Sequence, residues 1–240
     1  MSQEIGKIKA IFRYPVKSMA GVHLDRAALG WHGVNGDRRF AFRRLADPSG
    51  FPWLSASRLP QLLLYKPTGE AEVDKDLPTH VRTPDGAELE LHSADLQNEI
   101  AGRHGSPVQL MQLKHGVFDE AAVSLINMTT ISGIEREADR PLDVLRFRPN
   151  ILIDSHDVEP FAEDQWVGKT LRFGADDNSP AVSVTMRDLR CVMINLDPET
   201  AEADSRVMKA ALRLNANYAG VYATVIRSGE LRIDQAVYLV

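Results

Sequence analysis

The chain has one cysteine, Cys191, among 240 residues. No internal disulfide can form, so burial and hydrogen bonding must hold the fold. No apolar run approaches the roughly 18 to 20 residues needed to span a bilayer. The first residues, MSQEIGKIKAIFRYPVK, lack the apolar stretch and small-residue cleavage site of a secretory leader. These absences predict a soluble, cytoplasmic protein with no membrane partner. Positive charge is also scarce: 28 Lys and Arg stand against 33 Asp and Glu, a net charge of -5. Without a dense basic tract, nucleic acid is a poor partner. A small anion needs only a few converging cations and remains open. The sequence contains no G-x-G-x-x-G, no Walker loop, no H-E-x-x-H, no C-x-x-C and no G-x-S-x-G, and its 7 histidines lack ligand-like spacing. Dinucleotide, P-loop and zinc-protease chemistry therefore have no sequence support. A cysteine hydrolase would need a glycine-flanked nucleophile turn, which is also missing.

What is present is ordinary globular composition, 44% hydrophobic and 25% charged, with a period of two along much of the chain. Ile8, Ala10, Phe12 and Tyr14 alternate with Lys7, Lys9, Ile11 and Arg13, a strand closed by Pro15. Phe40 and Phe42 alternate with Arg39, Ala41 and Arg43 before the turn Asp47-Pro48-Ser49-Gly50. The stretch from His80 to Leu91 reads as a hairpin about Pro84-Asp85-Gly86, and the acidic stretch Glu70 to Asp76 as a solvated loop. Further strands are expected over 147–154, 170–173, 181–186, 222–226 and 237–240. Helices are expected over 94–103, capped by Ser93, over 130–138, and over 204–216. The chain is thus predicted to be mainly β with short helices, an α+β protein. So many short strands usually close into barrels. The helix after Ser93 places a domain boundary near residue 105, giving units 1–105 and 106–240.

Four segments can carry chemistry. Arg190-Cys191 follows an apolar strand and precedes the turn Asp197-Pro198-Glu199-Thr200. Two readings are open for Cys191: a small buried hydrophobe, or a thiolate favoured by the adjacent guanidinium. Tyr14-Pro15-Val16-Lys17-Ser18 ends a strand and offers an ammonium, a hydroxyl and freed amides, either as an anion site or as a solvated loop. Asp37-Arg38 enters an aromatic strand. Phe147-Arg148-Pro149-Asn150-Ile151 places Arg148 before a proline, which predicts extended backbone there and a fixed direction for Arg148 and Asn150.

Taken together and in this order, these segments resemble the MOSC family, in particular the mitochondrial amidoxime-reducing component and its bacterial relatives. The Y-P-V-K-S loop, the D-R pair, the F-R-P-N-I strand, the R-C pair, the D-P-x-T turn and a stretch like Phe161 to Trp166 all occur. The resemblance implies an N-terminal β-rich, barrel-like MOSC domain followed by a MOSC β-barrel, with a molybdopterin-type molybdenum cofactor between them. It implies Cys191 as metal ligand and catalytic residue. Lys17, Ser18, Arg38, Arg148 and Arg190 would hold phosphate and pterin, with Asn150 and Tyr222 as further contacts. Guanidinium groups suit such an anion because they bind it bidentately. The implied activity is reduction of small N-hydroxylated or N-oxygenated compounds, fed by an external electron-donor protein or domain. The alternative is a cofactor carrier or sulfur carrier using Cys191 without turnover. The sequence departs from the family pattern where the usual Asp-x-x-Pro loop reads Asp119-Glu120-Ala121-Ala122, and at Asn127, Leu189 and Ala201.

Overall fold

A computed structural model describes residues 2–240. Its first half contains strands β1 (Gln3–Arg13), β2 (Val22–Leu24), β3 (Arg26–Gly30), β4 (Gly33–Val34), β5 (Phe40–Arg44), β6 (Lys66–Thr68), β7 (His80–Arg82), β8 (Glu88–Glu90) and β9 (Val108–Gln112). The second half adds β10 (Val123–Asn127), β11 (Ile151–Ser155), β12 (Thr170–Phe173), β13 (Ala181–Leu189), β14 (Tyr218–Arg227), β15 (Gly229–Arg232) and β16 (Ala236–Leu239). Three α-helices, α1 (Ala94–His104), α2 (Met128–Ala138) and α3 (Ser205–Asn215), fall where the sequence predicts them. The Ser93 hydroxyl accepts from the Leu96 amide and caps α1, and Asp204 does the same for α3 through the Arg206 amide.

The main sheet runs β11-β10-β14-β13-β12-β16-β1-β2, and a further pairing of β11 with β1 closes the first seven strands into a barrel. Closure removes the edges that an open sheet would expose. Its interior is filled by alternate residues, among them Leu125, Ile151, Ile153, Leu171, Phe173, Val182, Val184, Val221 and Val237. Neighbouring residues such as Ile126 and Leu152 face outward, against α2 and α3. Residues 16–108 build a separate core around Phe40, Phe42, Leu62, Tyr65, Leu96 and Ile100.

Two expectations need refinement. The division at residue 105 does not separate the chain in space. β1 is a stave of the barrel, pairing with β11 and β16, and β3 pairs with β15. The alternation assigned to β1 also fails at Ile11, which is fully buried although it falls in the polar set. The register of β1 against β11 slips between Ile8 and Ala10. This bulge inserts an extra residue, so Ile11 turns inward with Ile8 while Ala10, Phe12 and Tyr14 face the outer core.

Candidate functional site

β1 ends before Pro15, and the chain doubles back. The Lys17 amide donates to Phe40 O at 2.8 Å, the Met19 amide to Val16 O at 3.1 Å, and Ser18 sits at φ 66. That left-handed conformation costs a non-glycine residue on the order of 1 kcal/mol. The tight turn buries Ser18 and brings Lys17 Nζ to the carbonyl of Phe118 at 2.7 Å. Burial lowers the Lys17 pKa, opposed by Asp119 and reinforced by Arg38 and Arg148.

Arg38 is buried at the entry to β5. Its guanidinium donates to Asp37 at 2.6 Å and to the carbonyl of Arg148 at 2.9 Å, and its Nε lies 2.5 Å from Asp119 Oδ2. Burial works against this charge, but Asp37 and Asp119 outweigh it and hold the pKa above the ordinary arginine value. Asp119, in the loop that departs from the family pattern, is lowered in turn: burial opposes its charge, and Arg38 and Lys17 overcome that cost.

Arg148 departs from the sequence expectation. It is not extended but lies at φ 49, despite the proline that follows. Its amide closes a turn on Leu145 O at 3.3 Å, and its Nη1 donates to Met19 O at 2.8 Å, reaching across to the Lys17 loop. These anchors override the local preference. Burial pulls its pKa down to about 10, and Nη2 has no hydrogen-bond partner.

Arg190 follows β13. It donates to Ala219 O at 2.6 Å and Phe147 O at 2.7 Å, and pairs with Asp188 at 2.9 Å, yet its Nη2 is likewise buried without a partner. Asp188 is 2% exposed, and burial pushes its carboxyl up to about 6 even with Arg190 beside it. Cys191 comes next, in extended backbone, and is exposed. The structure thereby excludes the buried-hydrophobe reading. The following turn, Val192–Asn195, is pinned by Ile194 in the barrel's outer core and by Leu196 in the N-terminal core.

These groups meet at one cavity of about 820 Å³. Lys17, Ser18, Arg38, Arg148, Arg190, Cys191 and Tyr222 all line it, drawn from both halves of the chain. Tyr222 stands beside Ser124 across the β10–β14 register, on the face opposite the barrel interior. Asn150 is not on the wall. It lies behind it, accepting from the Ser124 amide at 3.0 Å and from Arg38 at 3.4 Å, and donating to Phe12 O at 3.3 Å. It positions Arg38 and does not face the cavity.

Sequence reasoning missed several wall residues. Arg146 is 3% exposed and pairs with Asp197 at 2.6 Å, so the D-P-x-T turn holds an arginine at the cavity. Asp188, Ser124, Phe51, Trp53 and Phe118 also line it.

The MOSC domain matches residues 103–238, and the MOSC N-terminal beta barrel domain matches residues 5–127. This chain belongs to the MOSC family. Among related proteins, mitochondrial amidoxime-reducing component 1 of Mus musculus is 23% identical over 99% of this MOSC chain and 83% of its own length. The Danio rerio protein of the same name is 26% identical over 50% of this chain, and that match spans 37% of the Danio rerio protein. A crystal structure of the YUAD protein from Bacillus subtilis covers 100% of this MOSC chain and 98% of its own, with a TM-score of 0.52 and 12% identity. That likeness shows the fold. Among the described residues of this MOSC chain, no helix is long and apolar enough to cross a membrane.

Proposed function

We propose that this MOSC chain binds the pterin-type molybdenum cofactor in the cavity, with Cys191 as the protein ligand to the metal. In this reading it reduces small N-hydroxylated or N-oxygenated compounds with electrons from an external donor protein or domain. One observation carries the proposal: an exposed thiol opens onto the same cavity as five buried or half-buried cations from distant parts of the chain.

The residues fit the group. Arg148 and Arg190 each retain a buried guanidinium nitrogen without a partner, and leaving such donors unmet costs about 1–3 kcal/mol apiece. A phosphate beside them would satisfy both with charge-assisted bonds. Lys17, Ser18 and Arg38 add an ammonium, a hydroxyl and a guanidinium to the same wall. The sulfur of Cys191 is the soft ligand such a metal prefers. When bound, the cofactor supplies two-electron redox chemistry. Breaking an N–O bond to give the amine and water also consumes two protons, and the raised carboxyl of Asp188 is a wall group able to hold one. Asp119 is unsuited to that task, because Arg38 and Lys17 keep it ionised.

The test is metal analysis of protein purified from a host that makes the cofactor. Wild type should carry molybdenum near stoichiometry, and Cys191→Ala should lose most of it while remaining folded. Unchanged molybdenum in Cys191→Ala would remove the thiol from the site. Fully metallated protein that turns over no N-hydroxylated compound with a reduced dye would favour the carrier role.

A further inference from the structure

The segment that joins β9 to β10, residues 113–122, runs along the cavity, and Leu113, Val117, Phe118, Asp119 and Glu120 line it. It is fastened at several points. Arg39 donates to the carbonyls of Leu113 and Lys114. The Phe118 amide donates to Arg38 O at 2.8 Å, and the Phe118 carbonyl accepts from Lys17 Nζ at 2.7 Å. A Cβ on Gly33 would fall 2.1 Å from Ala122 O, so the far end of the segment closes directly on β4. These anchors fix Asp119 in one place. Its Oδ1 accepts from the Glu120 amide at 2.9 Å, and its Oδ2 lies 2.5 Å from Arg38 Nε.

Asp119 therefore holds a place on the cations that an incoming anion would use. Arg38 is also surrounded by Asp37, Asn150 and the Arg148 carbonyl, which leaves little of its guanidinium fork for a ligand. Asp37 and Asp119 together cancel two of the three positive charges on Lys17, Arg38 and Arg148. The two carboxylates differ in position. Asp37 is 1% exposed, accepts from the Tyr14 amide at 2.7 Å and lies behind the wall. Asp119 is on the wall itself. A charge in a mostly buried site is poorly screened, so Asp119 works against any anion bound beside it. The same carboxylate stabilises the protein, because the buried Arg38 needs a countercharge. Its effects on folding and on binding have opposite signs.

We infer that Asp119 is an autoinhibitory anion: it competes with a ligand's phosphate for Lys17, Arg38 and Arg148 and limits how tightly the cavity holds it. This rests on the reading of the cavity as a phosphate site, and it needs neither the metal nor turnover.

The experiment measures binding of sulfate and of perchlorate by calorimetry, at pH 7.5 and constant ionic strength. The protein is the full chain, purified from a host that does not make the cofactor. Both probes are tetrahedral and neither titrates at that pH, but sulfate is a dianion and perchlorate a monoanion. Asp119→Asn keeps the side-chain shape and the acceptor for the Glu120 amide. It should tighten sulfate about tenfold and perchlorate about threefold, because the repulsion scales with the ligand's charge. The urea midpoint of the same variant should fall. Glu120→Gln removes the same charge one residue along, at an exposed position that solvent screens, and should change either affinity by less than about twofold. A misfolded variant would lose affinity and stability together, so opposed signs exclude that explanation. Sulfate affinity in Asp119→Asn equal to or below wild type would overturn the inference. So would an equal gain in Glu120→Gln, an equal gain for the two anions, or no sulfate binding by either wild type or Asp119→Asn. The expected gain, in a protein that carries no molybdenum even when made in a cofactor-producing host, would instead sink the cofactor reading and leave the role of Asp119 standing.

Discussion

The guanidinium of Arg148, a half-buried residue, lies 4.2 Å from the centroid of the fully buried Tyr14 ring. Arg38 lies over the same ring at 4.9 Å. Tyr14 is therefore the common platform for two cations that would otherwise repel each other, and the ring's negative face offsets part of that cost. The Tyr14 hydroxyl is buried and has no hydrogen-bond partner. Tyr14→Phe should then be neutral or slightly stabilising, because it removes an unmet polar group and keeps the ring. Tyr14→Leu should destabilise by roughly 2–4 kcal/mol and weaken cofactor retention, since volume and cation–π contact are both lost. Urea unfolding midpoints of the two variants decide the matter; a Tyr14→Phe loss comparable to Tyr14→Leu would mean the hydroxyl is engaged.

Arg38→Ala would leave Asp37, which is 1% exposed, without its ion-pair partner and would strip Asp119 of the nearer of its cations. Removing one member of a buried ion network typically costs about 3–5 kcal/mol. The expected result is a lower denaturation midpoint together with loss of molybdenum. Arg38→Lys should recover part of the stability but little of the metal, because an ammonium cannot reproduce the fork that reaches Asp37, Asp119 and the Arg148 carbonyl. Wild-type stability in Arg38→Ala would refute the network.

Gly220 occupies φ 85 on β14, and a Cβ there would fall 2.6 Å from Leu125 O and 3.0 Å from Arg190 Nη2. The side-chain-free position lets the Arg190 guanidinium lie against the sheet. Gly220→Ala should cost about 1–3 kcal/mol in backbone strain and push Arg190 from its place. Molybdenum content should fall more than in a Gly102→Ala control, whose added methyl meets nothing within 4 Å. Equal metal content in the two variants would show that Arg190 tolerates the shift.

Glu163 is sealed beneath the start of α2, accepting from Thr130 Oγ1 at 2.7 Å and from the Asn127 amide at 3.4 Å. Burial outweighs those bonds and pushes its carboxyl from the ordinary 4.5 up to about 7. Between these values the folded protein keeps a proton that the unfolded chain has released. Stability is therefore greatest below the window and declines as pH rises through it. Glu163→Gln, neutral throughout, should flatten this decline by on the order of 2–3 kcal/mol between pH 5 and 7.5. Denaturant titrations at both pH values measure it, and identical pH slopes for variant and wild type would exclude Glu163. Asp188, raised to about 6, acts with the same sign in both proteins.

Much of the architecture was legible in the residues. The three helices, the hairpin about Pro84-Asp85-Gly86 and the closing of β1 at Pro15 follow from apolar period and turn chemistry, with a cap at Ser93 for α1. The candidate site residues came from the MOSC resemblance, and the structure places all of them except Asn150 along one cavity. Arg146, Phe51, Trp53 and Phe118 were not legible, since nothing local distinguishes a buried arginine from a solvated one, or a cavity-lining Trp53 from a core tryptophan.

The sequence by itself determined the classes of element and the Ser93 cap of α1, because those depend on interactions within a few residues. Only the tertiary structure decided that β1 belongs to the barrel, that Arg148 adopts a left-handed backbone, that Asn150 stands behind the wall and that Cys191 is exposed beside the cations. Each of those outcomes is set by contacts between residues far apart in sequence: the β1–β11 register, the Arg148–Met19 bond and the Leu196 anchor in the N-terminal core. Their energies exceed the local preferences they override.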